Sequence, residues 1–181
     1  ENRSIPGTLA RRVGGNERWG GSRGARWVPT MTVQENLTCF DDRVLGWTRG
    51  NRAALPGIYT SLERLVAAGV PMCAGTDLGA LVVFPGELPD ELLRLEAGGL
   101  PRLEVLRTAT THAAKLLGLE GELGAVRPGM AADLVLVAGD PTADLRAMKR
   151  PRLVGCGGRW YRPTHPETPD FWGERGPVLP H

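Results

Sequence analysis

Cysteine is scarce in this chain, and the cysteines are widely spaced. The three among its 181 residues are Cys39, Cys73 and Cys156. An odd number with no CxxC pair argues against a disulfide framework and against a zinc knuckle. Histidine is equally scarce, and the three histidines are His112, His165 and His181.

Long apolar runs and several familiar motifs are also missing. No apolar stretch approaches the roughly 18 residues that suggest a membrane span. There is no GxSxG segment, and no cysteine is placed to pair with a histidine, so a nucleophilic hydrolase is not expected. GxGxxG and the P-loop are absent as well, which leaves nucleotide binding without local support.

Neither sign of charge dominates. The net charge is +2, with 22 basic and 20 acidic side chains, so we expect neither a nucleic acid nor a membrane as a partner. The chain begins with Glu1 rather than Met and shows no signal peptide, and we interpret it as part of a longer product. The compartment stays open, with the cytoplasm as the default expectation.

Both ends of the chain are predicted to lack regular structure. Residues 1–26 carry six Arg among many Gly. Such a segment buries too little surface to offset its chain entropy, so we expect a disordered leader. Its RWGGSRGAR run also resembles Gly/Arg-rich RNA-binding tails, which is the alternative interpretation. Residues 163–181 are rich in Pro and are expected to form an irregular tail.

A strand–helix–strand unit is predicted between residues 27 and 76. The segment Trp27 to Val33 is β-rich and suits a short strand with Pro29 at its start or edge. The next apolar positions share one helix face, and they are Ile58, Leu62, Leu65 and Val66. Gly69 suits the end of that helix, and the apolar run Val70 to Thr76 predicts a buried strand.

Three helices and then β-structure are expected downstream. The first helix is expected to begin at Pro89 and to end at Gly98, and the second to begin at Pro101. The third is expected to begin at Thr110 or Thr111 and to end at Gly118. The all-apolar run Leu134 to Ala138 predicts a strand covered on both faces. Residues 152–155 and 159–162 are predicted to pair as a hairpin around Gly157 and Gly158.

One acidic residue lies where a site residue would lie. Asp77 directly follows the predicted strand and shares a strand face with Cys73 and Gly75 by the two-residue period. Active sites of β/α barrels are built from strand ends and the loops after them. If this is a barrel strand, Cys73 points into the core and Asp77 lies at the mouth. A turn or a helix cap is the alternative role for an Asp at this position.

Three segments in matching order carry a resemblance to a known family. They are VPMCAGTD at Val70 to Asp77, ATTHAAKLLGL at Ala109 to Leu119, and the turn Arg127-Pro128-Gly129 before Ala132 to Val137. The chain resembles the C-terminal part of the metal-dependent amidohydrolases, most closely their imidazolonepropionase-like and prolidase-like branch. The resemblance implies an α/β fold: the last two β/α units of a (β/α)8 barrel at residues 27–121, then strands of a flanking β-sandwich domain at residues 122–162.

The resemblance also implies a role for Asp77. In this family the matching carboxylate is a metal ligand, usually to zinc, and a catalytic group that exchanges a proton with the metal-bound water. The metal lowers the pKa of that water from 15.7 to about 7. The implied reaction is hydrolysis of C–N bonds in small amide, cyclic amide or dipeptide-like substrates.

The family's remaining metal ligands have no counterpart here. They are an HxH pair, a Lys or carboxylate, and two further His, whereas a zinc site needs about three protein ligands. We therefore expect this chain alone to hold no catalytic metal, to be inactive and to self-associate. The alternatives are a non-catalytic module that binds a partner or completes a barrel in trans, and a translated fragment that does not fold stably alone.

The histidines have plainer explanations than metal binding. His112 occupies a place where the family commonly has Asn, and helix packing or capping is expected of it. His165 and His181 lie in the Pro-rich tail and are expected to be solvated.

Four further carboxylates are candidate site residues. Asp41 and Asp42 follow the first predicted strand and are expected in a solvated turn. Glu87 and Glu91 could line a pocket, although charge complementarity at a helix N-terminus explains them as well.

Overall fold

The computed structural model describes residues 26–39, 49–79 and 82–163. The helices in these ranges are α1 Met31–Asn36, α2 Arg49–Ala67, α3 Leu88–Ala97, α4 Arg102–Thr108 and α5 Thr111–Leu117. The strands are β1 Leu134–Val137, β2 Pro151–Cys156 and β3 Arg159–Tyr161, and 3-10 helices occupy Leu37–Cys39 and Leu145–Lys149. Residues 1–25 of the predicted leader, residues 164–181 of the predicted tail, and Asp41 with Asp42 lie outside the described residues.

Two extended segments run side by side in parallel, and in the described part of the chain they are joined by a bridge between Trp27 and Met72. The Trp27 amide donates to the Pro71 carbonyl at 3.0 Å, and the Cys73 amide donates to the Trp27 carbonyl at 3.0 Å. The predicted strand at residues 70–76 is thus reduced to the residues around this bridge. Both Met72 and Cys73 are buried, as predicted for this segment.

The predicted strand Trp27 to Val33 is wrong beyond its first residues, because residues 31–36 form α1. Pro29 has no N–H to offer a strand ladder. Thr30 adopts φ 49° and ψ 49° in the left-handed region, which ends the extended chain. The β-rich composition of this segment was overridden by tertiary contacts, which are described below.

The helix predicted at residues 58–68 is present and begins earlier. It is α2, which starts at Arg49 and contains Pro56. Tyr59 and Leu62 are buried within the predicted range, and Leu55 extends the buried face by about one turn toward the N-terminus. Gly69 ends the helix with φ 66°, as its position after the last apolar residue predicted.

The three downstream helices are found where their signals predicted them. Pro89 lies in the first turn of α3, Pro101 is the residue before α4, and Gly118 ends α5 with φ 73°. These helices and α2 pack around one apolar core. Its buried members are Met31, Leu55, Tyr59, Leu62, Met72, Leu92, Leu95, Val105 and Leu145. No helix in the described ranges is long and apolar enough to span a membrane.

The three strands form one antiparallel sheet in the order β1–β2–β3. The predicted hairpin is confirmed, since Cys156 pairs with Arg159 around the glycine turn. The prediction that the first strand is covered on both faces is wrong for the described residues. Val135 is 52% exposed and Leu136 60% exposed, because the described residues put no second layer over them.

Candidate functional site

Asp77 lies just past the parallel bridge, with its side chain exposed to solvent. Its φ of 60° places it in the left-handed region, so the two-residue alternation of the strand has ended before it. Asp tolerates this conformation better than most residues. Within the described ranges its carboxylate makes no hydrogen bond or ion pair, which leaves it open to a ligand. Cys73 lies deeper and is buried, and burial raises the pKa of its thiol.

The first extended segment ends at the same edge. A Cβ atom added to Gly75 would lie 2.5 Å from Cγ1 of Val28, so the two segments approach closely beyond the bridge. Thr30 is two residues past Val28, and Asp77 is two residues past Gly75. Thr30 and Asp77 are also the two non-glycine residues with positive φ in the described ranges. Strained backbone of this kind is concentrated at functional sites.

A buried carboxylate holds the backbone directly after Thr30. Glu91 of α3 is fully buried. It accepts hydrogen bonds from the Met31 amide at 3.0 Å, and from the amide and the hydroxyl of Thr32 at 2.7 Å each. Burial raises the pKa of Glu91, and the bonds from Thr32 and Met31 oppose that rise. The first two amides of α1 are therefore capped by a residue about 60 positions away.

Glu35 of α1 is a second buried carboxylate in the same region. Glu35 accepts a hydrogen bond from the Tyr59 hydroxyl at 2.7 Å and pairs with Arg94 Nε at 2.5 Å. Burial and the nearby Glu35 carboxylate raise the pKa of Tyr59. Asn36 donates to the Val82 carbonyl at 2.9 Å and to Glu87 at 3.0 Å.

These side chains form one buried polar cluster between α1, α2 and α3. Its members are Thr32, Glu35, Asn36, Tyr59, Glu87, Glu91 and Arg94. Of these, only Glu87 and Glu91 are candidates from the sequence, as pocket or helix-end residues. The polar residues Thr32, Glu35 and Asn36 share a helical i, i+3, i+4 spacing, but a strand had been predicted at the start of that segment, so this signal was missed.

His112 and an open cleft lie toward the other end of the extended segments. His112 Nδ1 is 3.3 Å from the Met72 carbonyl oxygen, and Nε2 is 3.9 Å from Glu104. These contacts are those of a helix packed against the chain, the role expected from sequence. The cleft measures about 550 Å³ and is lined by Arg26, Pro71, Glu104, His112 and neighbouring apolar residues. Neither Thr30 nor Asp77 lines it.

The donor set of the described residues does not fit a metal site. In the ranges 26–39, 49–79 and 82–163, no three His, Cys, Asp or Glu side chains lie close enough together to hold an ion. Zinc takes about three protein ligands, and Asp77 offers one. His165 and His181 lie outside the described residues.

Comparison with known proteins identifies the family to which the chain belongs. Residues 48–161, from before α2 to the end of β3, match the amidohydrolase family. The chain belongs to the amidohydrolase family. The family is generally metal-dependent. The imidazolonepropionase-like and prolidase-like resemblance seen in the sequence is confirmed by the relatives.

Three relatives illustrate the match. Rv2915c, an uncharacterized protein of Mycobacterium tuberculosis, is 35% identical over 147 residues, covering 77% of this chain and 37% of the relative. The imidazolonepropionase of Ralstonia nicotianae is 41% identical over 90 residues, covering 46% of this chain and 21% of the relative. The crystal structure of a Xaa-Pro dipeptidase with bound methionine in its active site matches with a TM-score of 0.69 and 28% identity. The match covers 77% of this chain and 35% of the dipeptidase. This amidohydrolase chain therefore spans less than half the length of each of these three proteins.

Proposed function

We propose that this chain is the C-terminal part of a metal-dependent amidohydrolase that hydrolyses C–N bonds in amide, cyclic amide or dipeptide-like substrates. In this proposal residues 27–121 belong to the last two β/α units of a (β/α)8 barrel, and residues 122–162 to a flanking β-sandwich. Family membership and the named relatives, an imidazolonepropionase and a Xaa-Pro dipeptidase, support the reaction class. Small-molecule substrates, rather than nucleic acid or membrane, are the proposed partners.

The observation that carries the proposal is the placement of Asp77. Its carboxylate is exposed, at the edge where both parallel segments end, inside the part of the chain that matches the family. A carboxylate so placed can accept a proton from an attacking water and return it to the leaving amine. The full-length enzyme is proposed to use a divalent metal, expected to be zinc, with Asp77 as one of its ligands. Because the other ligands are not among the described residues, we derive no step through the metal.

The test is turnover by the full-length gene product, including any upstream coding sequence. Purified protein would be assayed against Xaa-Pro dipeptides, N-acyl amino acids and cyclic amides, with free amine or acid as the readout. Asp77→Asn is nearly isosteric but cannot accept the proton, so kcat should fall by about 10²–10⁴-fold. Near-normal kcat in Asp77→Asn would mean that Asp77 is only a turn residue.

Two control variants separate chemistry from folding. Glu63→Gln removes an exposed carboxylate from α2 and should leave kcat unchanged. Cys73→Ala shortens a buried side chain close to Asp77 along the chain and should cost stability with a modest effect on turnover. The 181-residue chain alone should show neither turnover nor stoichiometric zinc by elemental analysis. About one zinc per chain, lost in Asp77→Ala, would contradict this part of the proposal.

A non-catalytic module that completes a barrel in trans is the second candidate function. The exposed apolar residues of the sheet favour it, since Val135, Leu136 and Trp160 are each more than half exposed. Such a module would stay inactive even with its upstream region restored. It would gain a defined oligomeric state when mixed with a separate partner chain.

A further inference from the structure

Burial of this polar cluster has a cost in desolvation free energy, and helix packing alone does not require polar side chains there. A buried carboxylate must be fully hydrogen-bonded to be tolerated, and apolar side chains of similar volume often pack as well or better. Glu91 is fully buried among Leu92, Leu95 and the other core residues. Among the described residues, its carboxylate accepts three hydrogen bonds, all from Met31 and Thr32 and none from its own helix.

The bonds of Glu91 fix one particular piece of backbone. Met31 and Thr32 are the first residues of a helix of only six residues, too short to be stable by itself. Thr30, directly before them, holds a left-handed conformation without a side-chain capping bond. An uncapped start and a strained residue both need an outside constraint, and Glu91 supplies it.

The constrained turn lies at the candidate site. Val28 and Gly75 approach closely beyond the parallel bridge. Thr30 and Asp77 each follow two residues later, so both lie beyond the bridge, toward the same edge. Residues at such an edge meet the substrate in β/α enzymes.

We propose that Glu91 is a positioning residue of the candidate site, which holds the turn at Thr30 against the substrate through its bonds to Met31 and Thr32. The inference rests on the proposed hydrolase function. Glu91 does not touch Asp77, so it acts on substrate placement rather than on the proton transfer. Its loss should therefore raise KM more than it lowers kcat, and it should leave the pH profile of kcat unmoved.

The deciding variant is Glu91→Gln in the full-length protein. Gln keeps the shape of Glu, but in either orientation its NH2 group faces a backbone N–H, that of Met31 or that of Thr32, so at least one bond to the turn is lost. We expect KM to rise about tenfold or more, with kcat within about threefold of wild type. Thr32→Val, which removes only the hydroxyl bond, should shift KM in the same direction by less.

The matched control is Tyr59→Phe at the far side of the same cluster. It removes the bond to Glu35 without touching residues 30–32. Both variants are expected to lower the melting temperature, but only Glu91→Gln should raise KM. If Glu91→Gln lowers the melting temperature and leaves KM at the Tyr59→Phe value, Glu91 is structural and this inference is overturned. A wild type with no turnover on any C–N substrate overturns the proposed function and this inference together, so the two failures are distinguishable.

Discussion

At the scale of single residues, the chain contains two carboxylates with opposite environments. Asp77 is exposed and makes no bond to a described residue, whereas Glu91 is fully buried and makes three. Both are acidic residues beside an apolar segment, so residue type alone does not separate them. Exposure favours a ligand or proton-transfer role for the first, and saturation with backbone donors favours a positioning role for the second.

The close approach beside the candidate site predicts that Gly75→Ala destabilises the protein. The new Cβ would lie 2.5 Å from Cγ1 of Val28, and overpacking of this kind costs about 1–3 kcal/mol. Urea unfolding of the full-length protein measures it. The double variant Gly75→Ala/Val28→Ala should recover most of the loss. Gly57→Ala in α2 is the matched control, because nothing lies within 4 Å of its Cβ position. A neutral Gly75→Ala would show that the segments are farther apart.

Glu91 predicts a pH dependence of stability. Burial raises its pKa above the ordinary value of 4.5. Its contribution to stability is therefore complete below that value and is lost as the pH rises through the raised pKa. The unfolding free energy of wild type minus that of Glu91→Gln should fall as the pH rises above 4.5, with a slope of at most about 1.4 kcal/mol per pH unit. A difference that grows with pH would mean that the bonds from Met31 and Thr32 outweigh desolvation.

At the scale of elements, the sequence predicted what local chemistry decides. The proline and glycine signals located α3, α4 and α5, and the glycine pair located the hairpin. Each signal acts within a few residues, through a missing N–H or a positive φ. Asp77 could be proposed as a site residue because the short segment around it, Val70 to Asp77, resembles the metal-dependent amidohydrolases.

Elements that depend on distant partners were not predictable. Trp27 to Val33 has the composition of a strand, yet its second half is helical because Glu91 caps it from about 60 residues away. The buried polar cluster was missed for the same reason, because its members come from three helices. The exposure of Val135 and Leu136 depends on which layers surround the sheet, and strand composition does not specify this.

The end of α5 provides a prediction at this scale. Gly118 has φ 73°, and this left-handed conformation is about 1–2 kcal/mol less favourable for a residue with a Cβ. Gly118→Ala should therefore destabilise the full-length protein by about that amount in urea unfolding. Gly121→Ala is the matched control, since Gly121 has neither a positive φ nor a crowded Cβ position. Equal effects of the two substitutions would show that the left-handed end is not required.

At the scale of the whole molecule, the apolar surface of the sheet decides how the chain behaves. Leu136 is 60% exposed and Trp160 53% exposed. The register places both on one face, because Leu134 and Leu136 oppose Gly155 and Leu153, and Gly155 opposes Trp160. Contiguous apolar surface and open strand edges promote association. In the full-length amidohydrolase we propose that other parts of the protein cover this face.

The 181-residue chain alone should therefore self-associate through this sheet face. Light scattering across a range of concentrations is expected to show a mass that rises above one chain. Leu136→Thr with Trp160→Thr should reduce that rise, because Thr keeps β propensity while removing apolar area. Val126→Thr is the matched control, since Val126 is 84% exposed but lies outside the sheet. A monodisperse monomer with a sharp cooperative melt would contradict the prediction and would favour an independently folding module over part of a larger enzyme.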